Sequence, residues 1–134
     1  MVLVDTTIWI DWLRDRKTDG ASLLDTLLDE GEAALAPVIY QEILQGATSP
    51  QALRTLENQF GALQLLITGV STYAGAGALY ARCRWRGYTP RSPHDCLIAQ
   101  LAIENRLPLL QDDRDFEHIV EVEPKLVLWL NSSG

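Results

Sequence analysis

The sequence predicts an α/β fold with a parallel sheet covered by helices on both faces. Short apolar runs of strand length alternate along the whole chain with longer stretches of helical periodicity. The runs are apolar at successive positions, as strands buried on both faces are, and intervening helices are the usual crossovers between parallel strands. In such sheets ligands bind outside the carboxyl ends of the strands.

The elements follow in order. Val2-Leu3-Val4 reads as a short buried strand. Ile8, Trp9, Trp12 and Leu13 recur at helical spacing and mark a first helix. Ala21 to Glu30 reads as a second helix, stopped by Gly31. Ala33 to Ala36 is a second strand. Pro37 opens a helix that Gly46 closes, the Pro-in, Gly-out asymmetry of helix ends. Gln51 to Phe60 is helical, and Gln64 to Ile67 is a third strand. A long helix is expected from about Thr72 to Arg86 and another from Pro93 to Asn105, with Leu97, Ile98, Leu101 and Ala102 on one face. Leu109-Leu110 is strand-like, Phe116 to Val120 a short helix, and Leu126 to Leu130 a last strand. Asn131 to Gly134 reads as a tail. There is no linker, repeat or low-complexity stretch.

A chain of 134 residues is the usual size of one domain, and 47% hydrophobic content suffices for a core without staples. Two cysteines, Cys83 and Cys96, make no disulfide framework and no zinc motif. A reduced, cytoplasmic setting is expected. The apolar N-terminus is too short for a signal peptide, and no apolar stretch approaches the roughly 20 residues of a membrane span.

Net charge is −7, which argues against sequence-independent nucleic-acid binding. The distribution qualifies this. Setting aside five acids at suggestive places leaves 13 acidic residues against 11 basic ones. Arg82, Arg84, Arg86 and Arg91 form a basic stretch with no acid between them and with Trp85 and Tyr88 interleaved. Such a stretch suits single-stranded RNA or an RNA loop, or is simply a solvated helix end.

The five acids carry the chemistry. Asp5 ends the first strand, at the ligand-binding rim, where it either caps the next helix or binds a ligand. With Val38 at 0° and about 100° per residue, Glu42 falls at about 40°, between Val38 and Ile39 and inside the apolar stripe. An unpaired carboxylate buried there costs several kcal/mol, so Glu42 must be ion-paired, metal-bound or at a cleft edge. Ser92-Pro93-His94-Asp95 has the form of a capping box. Capping leaves Asp95 one oxygen for a metal, since a carboxylate has two. Asp112, Asp113 and Asp115 follow the Leu109-Leu110 strand, matching Asp5 at the end of the first. His94 and His118 stand isolated and read as structural or surface residues. A haloacid-dehalogenase phosphatase is disfavoured because Thr7 stands where a second Asp is needed. A Gly-rich phosphate loop, a G-x-S-x-G elbow and a Cys–His pair are all missing.

These segments occur in a recognisable order: strand–Asp–Thr before a Trp/Ile helix, a mid-chain Glu in a Pro-started helix, Ser-x-x-Asp-x-x-Ile-Ala, and Leu-Leu-x-x-Asp-x-Asp-Phe. The chain resembles the PIN-domain ribonucleases, and within them the VapC-type toxins of toxin–antitoxin modules. The resemblance covers nearly the whole chain. It implies a three-layer α/β/α sandwich with a parallel sheet of about five strands, one nuclease domain over residues 1–134. It implies that Asp5, Glu42, Asp95 and Asp113, with Asp115 as a variable fifth, surround Mg²⁺ or Mn²⁺, with Thr6 and Ser92 as hydroxyls behind the ligands. Gln111 departs from the Thr or Ser that many relatives carry there, which leaves the hydrogen bonding of Asp113 open. The implied function is metal-dependent hydrolysis of structured RNA, a transfer-RNA loop foremost, leaving a 5′-phosphate and a 3′-hydroxyl. Arg82, Arg84, Arg86 and Arg91 would hold the RNA backbone. The implied partners are a second copy, as a homodimer, and a small antitoxin whose C-terminal segment covers the site. Trp9 and Trp12 either line the antitoxin groove or belong to the core.

Two other readings compete. A non-catalytic PIN-like domain could use the acidic cleft to bind a basic peptide, though such a domain has no need to keep every acid. A flap-type DNA nuclease would need a helical arch and a length that this chain lacks.

Overall fold

The computed structural model describes residues 1–130; Asn131 to Gly134, read as a tail, lie outside the described residues. Its elements are β1 (Val2–Val4), α1 (Thr6–Leu13), α2 (Asp19–Asp29), β2 (Ala33–Leu35), α3 (Pro37–Gln45), α4 (Pro50–Phe60), β3 (Gln64–Leu65), α5 (Val70–Trp85), α6 (Pro93–Asn105), β4 (Leu109–Leu110), α7 (Arg114–Val122) and β5 (Leu128–Trp129). All five strands are parallel, in the order β3-β2-β1-β4-β5.

This order decides the rest. From β1 the chain steps outwards to β2 and β3, then crosses back past β1 to β4 and β5. Parallel crossovers are right-handed, so the two directions of travel place their helices on opposite faces. The contacts agree: α1 packs on α2 and α3, and α3 on α4, while α5, α6 and α7 pack on one another. The result is the expected three-layer sandwich. The direction of winding reverses between β1 and β4, and their carboxyl ends leave a crevice there.

The central strands are buried throughout. Leu3 lies between Ala33–Ala34 and Leu109, and Val4 faces Leu110 across the ladder. Trp9 is fully buried, donates its indole N–H to the Val4 carbonyl at 3.1 Å, and meets Phe60 of α4 edge-on at 5.1 Å. It therefore belongs to the core. Trp12 is half-buried, meets Trp9 edge-on at 6.0 Å and donates to Asp25 at 3.3 Å.

Boundaries shift where a local signal outranks periodicity. α2 begins two residues before the expected Ala21, because Thr18 accepts from the Ala21 N–H at 3.0 Å and caps the turn. The third strand is shorter than Gln64 to Ile67: Leu66 still donates to Leu35, but Ile67 is 90% exposed. Cys83 and Cys96 are free and buried.

Replacing Trp9 with alanine removes the ring that joins β1, α1 and α4, and the stability measured by guanidinium unfolding falls by about 3–5 kcal/mol.

Candidate metal centre at the sheet's switch point

Each acid reaches the crevice by a different route. Asp5 follows β1 directly, its N–H donating to the Leu110 carbonyl of β4 at 3.0 Å. It is 4% exposed, and its side chain makes no N-capping hydrogen bond to α1. Capping therefore does not account for it. Burial, above all, pushes its carboxyl up to about 7; the N–H groups of Thr6 and Thr7 partly offset this, and the charges of Asp113 and Glu42 add to it.

Asp95 sits in the first turn of α6. Ser92 caps that helix by accepting from the His94 N–H at 3.2 Å. The Asp95 carboxyl is pushed up to about 8, first by burial and then by the charges of Asp5, Asp113 and Asp115. Asp113 is the N-cap of α7 and accepts from the Asp115 N–H at 2.9 Å. Asp112 is exposed.

Asp95, Asp113 and Asp115 each offer an oxygen within 4.8 Å of the other two. Asp5 is the electrostatic link, since its charge is felt by Asp95 and it feels Glu42 in turn. Glu42 stands at the crevice edge, beside the buried Ile39 and Ile43 of α3. Its Oε2 accepts from the Thr6 hydroxyl at 3.1 Å and its Oε1 lies 3.2 Å from His94 Nδ1. The Thr6 hydroxyl thus bonds an acid, and Ser92 serves the helix start.

Three residues come out differently from the sequence reading or beyond its reach. His94 is not isolated: it faces Glu42 from the first turn of α6. Asp115, held as the variable fifth acid, is inside the tightest group. Gln111 is fully buried and its Oε1 accepts from the Asp113 N–H at 2.8 Å, which answers the question left open by that departure. The positions could have been foreseen, since residue 94 adjoins Asp95 at the rim and residue 111 directly follows β4; the partner of His94 comes from a distant element, and the side-chain rotamer of Gln111 is not written in the sequence.

The basic stretch divides. Arg91 bridges Asp113 at 2.9 Å and Asp115 at 3.3 Å, and its own N–H donates to Asp115 at 3.0 Å. Arg82 donates to the Val122 carbonyl at 2.8 Å and pairs with Glu123, tying α5 to α7. Arg84 and Arg86 are exposed, and Trp85 is 80% exposed. Tyr88 stacks on His118 with ring centroids 4.5 Å apart and donates its hydroxyl to Glu121.

The tight group is made of hard carboxylate oxygens, and the Arg91 guanidinium is paired with two of its three acids. That donor set fits a hard divalent cation such as Mg²⁺ or Mn²⁺ and does not fit a soft metal. Thiol chemistry has no footing here, since burial pushes Cys96 up to about 12. A cavity of about 610 Å³ opens beside the centre, running from Glu42 between α1, α3 and α4 past Ile10, Leu13, Ile43 and Leu56.

Comparison with known proteins agrees with the fold. The family model of the PIN domain matches residues 2–122, so the chain belongs to the PIN-domain family. Within that family it is 34% identical over 125 residues to the VapC ribonuclease Mb1587 of Mycobacterium bovis and to ribonuclease VapC11 of Mycobacterium tuberculosis, covering 91% of this chain and 93% of each relative. Among solved structures it is similar to VapBC2 from Rickettsia felis bound to a DNA fragment from its promoter. That match has a TM-score of 0.75 at 19% identity and covers 98% of both chains.

In the folded, cation-free protein Asp5 and Asp95 keep protons that the unfolded chain, with carboxyls near 3.8, has already released. The melting temperature in EDTA therefore falls as pH rises from about 4 towards 8. Asp95→Asn removes part of that slope, so its melting temperature exceeds the wild-type value at pH 8 by more than it does at pH 5.

Proposed function

We propose that the chain is a Mg²⁺- or Mn²⁺-dependent endoribonuclease toxin, a single nuclease domain acting in the cytoplasm on structured RNA, with transfer RNA the foremost substrate, and silenced by a cognate antitoxin. The observation that carries this reading is the trio Asp95, Asp113 and Asp115, gathered within 4.8 Å at the crevice where Asp5 lies buried. The relatives named as VapC ribonucleases support the activity, and the similarity to a VapBC structure supports the partner. Among the described residues no helix is long and apolar enough to cross a membrane.

Asp95, Asp113 and Asp115 would hold the cation, with Asp5 beneath them and Glu42 at the edge. A divalent cation bound there lowers the pKa of an attacking water and offsets charge on the phosphate. The chain's own groups do the positioning. Thr6 and His94 fix the two oxygens of Glu42. Hydrolysis in line would leave a 5′-phosphate and a 3′-hydroxyl. Arg91 reaches the centre, and Arg84, Arg86 and the exposed Trp85 lie on the same chain segment, where they would hold backbone phosphates and stack on a base. Arg82 contributes by holding α5 against α7. The cavity beginning at Glu42 would take the apolar part of the antitoxin's C-terminal segment, lined on α1 by Ile10 and Leu13 rather than by the buried Trp9. A second copy completes the assembly as a homodimer.

Purified chain cleaves RNA with Mg²⁺ or Mn²⁺ and stops in excess EDTA, and Asp95→Asn lowers kcat by at least about a hundredfold. Cleavage that persists in EDTA, or full activity in Asp5→Asn, would sink the proposal. Tight uptake of a basic peptide without any Mn²⁺ binding would favour the non-catalytic reading. Arg84→Ala with Arg86→Ala raises KM and flattens its salt dependence while leaving kcat near wild type, because phosphate contacts away from the reacting centre bind without specifying. Leu13→Glu with Leu56→Glu, in the cavity wall, frees RNA cleavage from inhibition by the antitoxin without changing cleavage in its absence.

A further inference from the structure

We infer that Gln111 is the positioning residue for Asp113, and that its side-chain amide sets the geometry on which cation affinity at the centre depends. The inference rests on the metal-centre reading above.

Gln111 is the residue directly after β4 and is 0% exposed. A buried amide left unpaired is costly, so its burial calls for partners at both ends. Both exist. Its Nε2 donates to the Leu130 carbonyl beyond β5, and its Oε1 accepts from the Asp113 N–H at 2.8 Å. Its backbone N–H donates to the Trp129 carbonyl at 3.2 Å. Gln111 is thereby fixed to the sheet edge by two bonds and passes that fixity to the Asp113 amide.

The hydrogen bonds run on from there. Asp113, with its N–H held, turns its carboxylate so that Oδ1 accepts from the Asp115 N–H at 2.9 Å and from Arg91 at 2.9 Å. Sheet, Gln111, Asp113 and Asp115 thus form one continuous series. Its last two members belong to the trio with Asp95, which comes from another element. Rotating the backbone at Asp113 would open the 4.8 Å grouping while leaving Asp95 where it is. Partners behind a ligand matter for this reason, and their loss usually costs 10–100-fold in metal affinity or activity.

Two substitutions separate positioning from mere packing. Gln111→Met keeps length and volume and loses both hydrogen bonds. Gln111→Asn is too short for Leu130, but its side-chain oxygen can accept the N–H two residues on, the geometry of an Asx turn. Three quantities are measured for each: Mn²⁺ affinity by titration calorimetry, hydrogen exchange of the Asp113 amide in EDTA, and melting temperature. Gln111→Met should weaken Mn²⁺ binding by about tenfold or more and speed exchange at Asp113. It should also lower kcat for RNA with little change in KM. Gln111→Asn should recover most of the affinity and exchange protection, even though its melting temperature falls with the loss of the Leu130 bond. Unchanged exchange at Asp113 in Gln111→Met overturns the inference. So does a Gln111→Asn variant as impaired as Gln111→Met, with both tracking melting temperature, because that outcome makes Gln111 a stabilising residue only. A wild-type protein that takes up no Mn²⁺ fails the metal reading instead, and the exchange measurement still judges the Gln111–Asp113 bond on its own.

Discussion

Mutual repulsion among carboxylates withdrawn from water is the constraint around which this molecule is organised. Asp5 is nearly inaccessible, Asp95 is half-buried, and their charges reinforce one another and those of Asp113 and Asp115. A fold selected for stability alone would replace such a group with apolar side chains of similar volume, often at no loss. Asp5 escapes the usual structural justification because it leaves its helix uncapped. What remains is a site that holds acids close enough for burial and mutual charge to push their carboxyls up, an arrangement that a bound cation would relieve. The elevated carboxyls and the hard-oxygen donor set are two aspects of one arrangement.

Sheet topology is what makes that arrangement possible with such short strands. The two carboxyl termini that meet at the crevice belong to β1 and β4, neighbours in the sheet although more than a hundred residues apart in sequence. The ladder bond from Asp5 N–H to Leu110 sets the height of Asp5 against the turn that carries Asp113. Asp95 enters from the first turn of α6, and α6 packs against both α5 and α7. Core packing therefore places the acids, and the acids contribute little to the core. Trp9 shows the same division. It carries no chemistry, yet its bond to the Val4 carbonyl holds β1 one residue before Asp5.

Much of this was legible in the sequence, and the failures have physical causes. Strand order could not be read, but alternation of buried runs with helices was enough to expect a parallel sheet and to look for acids at strand ends. Glu42 was found because a charge interrupted an apolar stripe, and the structure puts it at the stripe's edge, paired with Thr6 and His94 rather than with an arginine. His94 looks isolated in sequence because its partner, Glu42 of α3, lies 52 positions away and only the tertiary fold brings the two within 3.2 Å. Asp115 is the variable fifth acid of the resemblance because family members differ over which late acid contacts metal, and a sequence pattern alone does not choose between neighbouring acids. Asp112 is exposed, whereas the N-cap of α7 and Arg91 turn Asp113 and Asp115 inwards. The basic stretch was read as one surface, yet Arg82 is spent on Val122 and Glu123, a distinction that charge patterning has no means to draw.

The arrangement of charge also resolves the apparent conflict between an acidic chain and a polyanionic substrate. Net charge governs long-range steering, but most of the imbalance here is concentrated in the centre, where Arg91 opposes it and a bound cation would oppose it further. Outside the centre the surface is nearly balanced, and the exposed Arg84 and Arg86 lie on the segment that leads from the end of α5 to Arg91. A phosphate chain following that segment would meet Arg84 and Arg86 first and Arg91 at the carboxylates. There the sign reverses, and without a cation the last step is repulsive. On this account occupancy of the centre does more than supply chemistry: it completes the electrostatic path, so substrate affinity and catalysis should both depend on the same carboxylates.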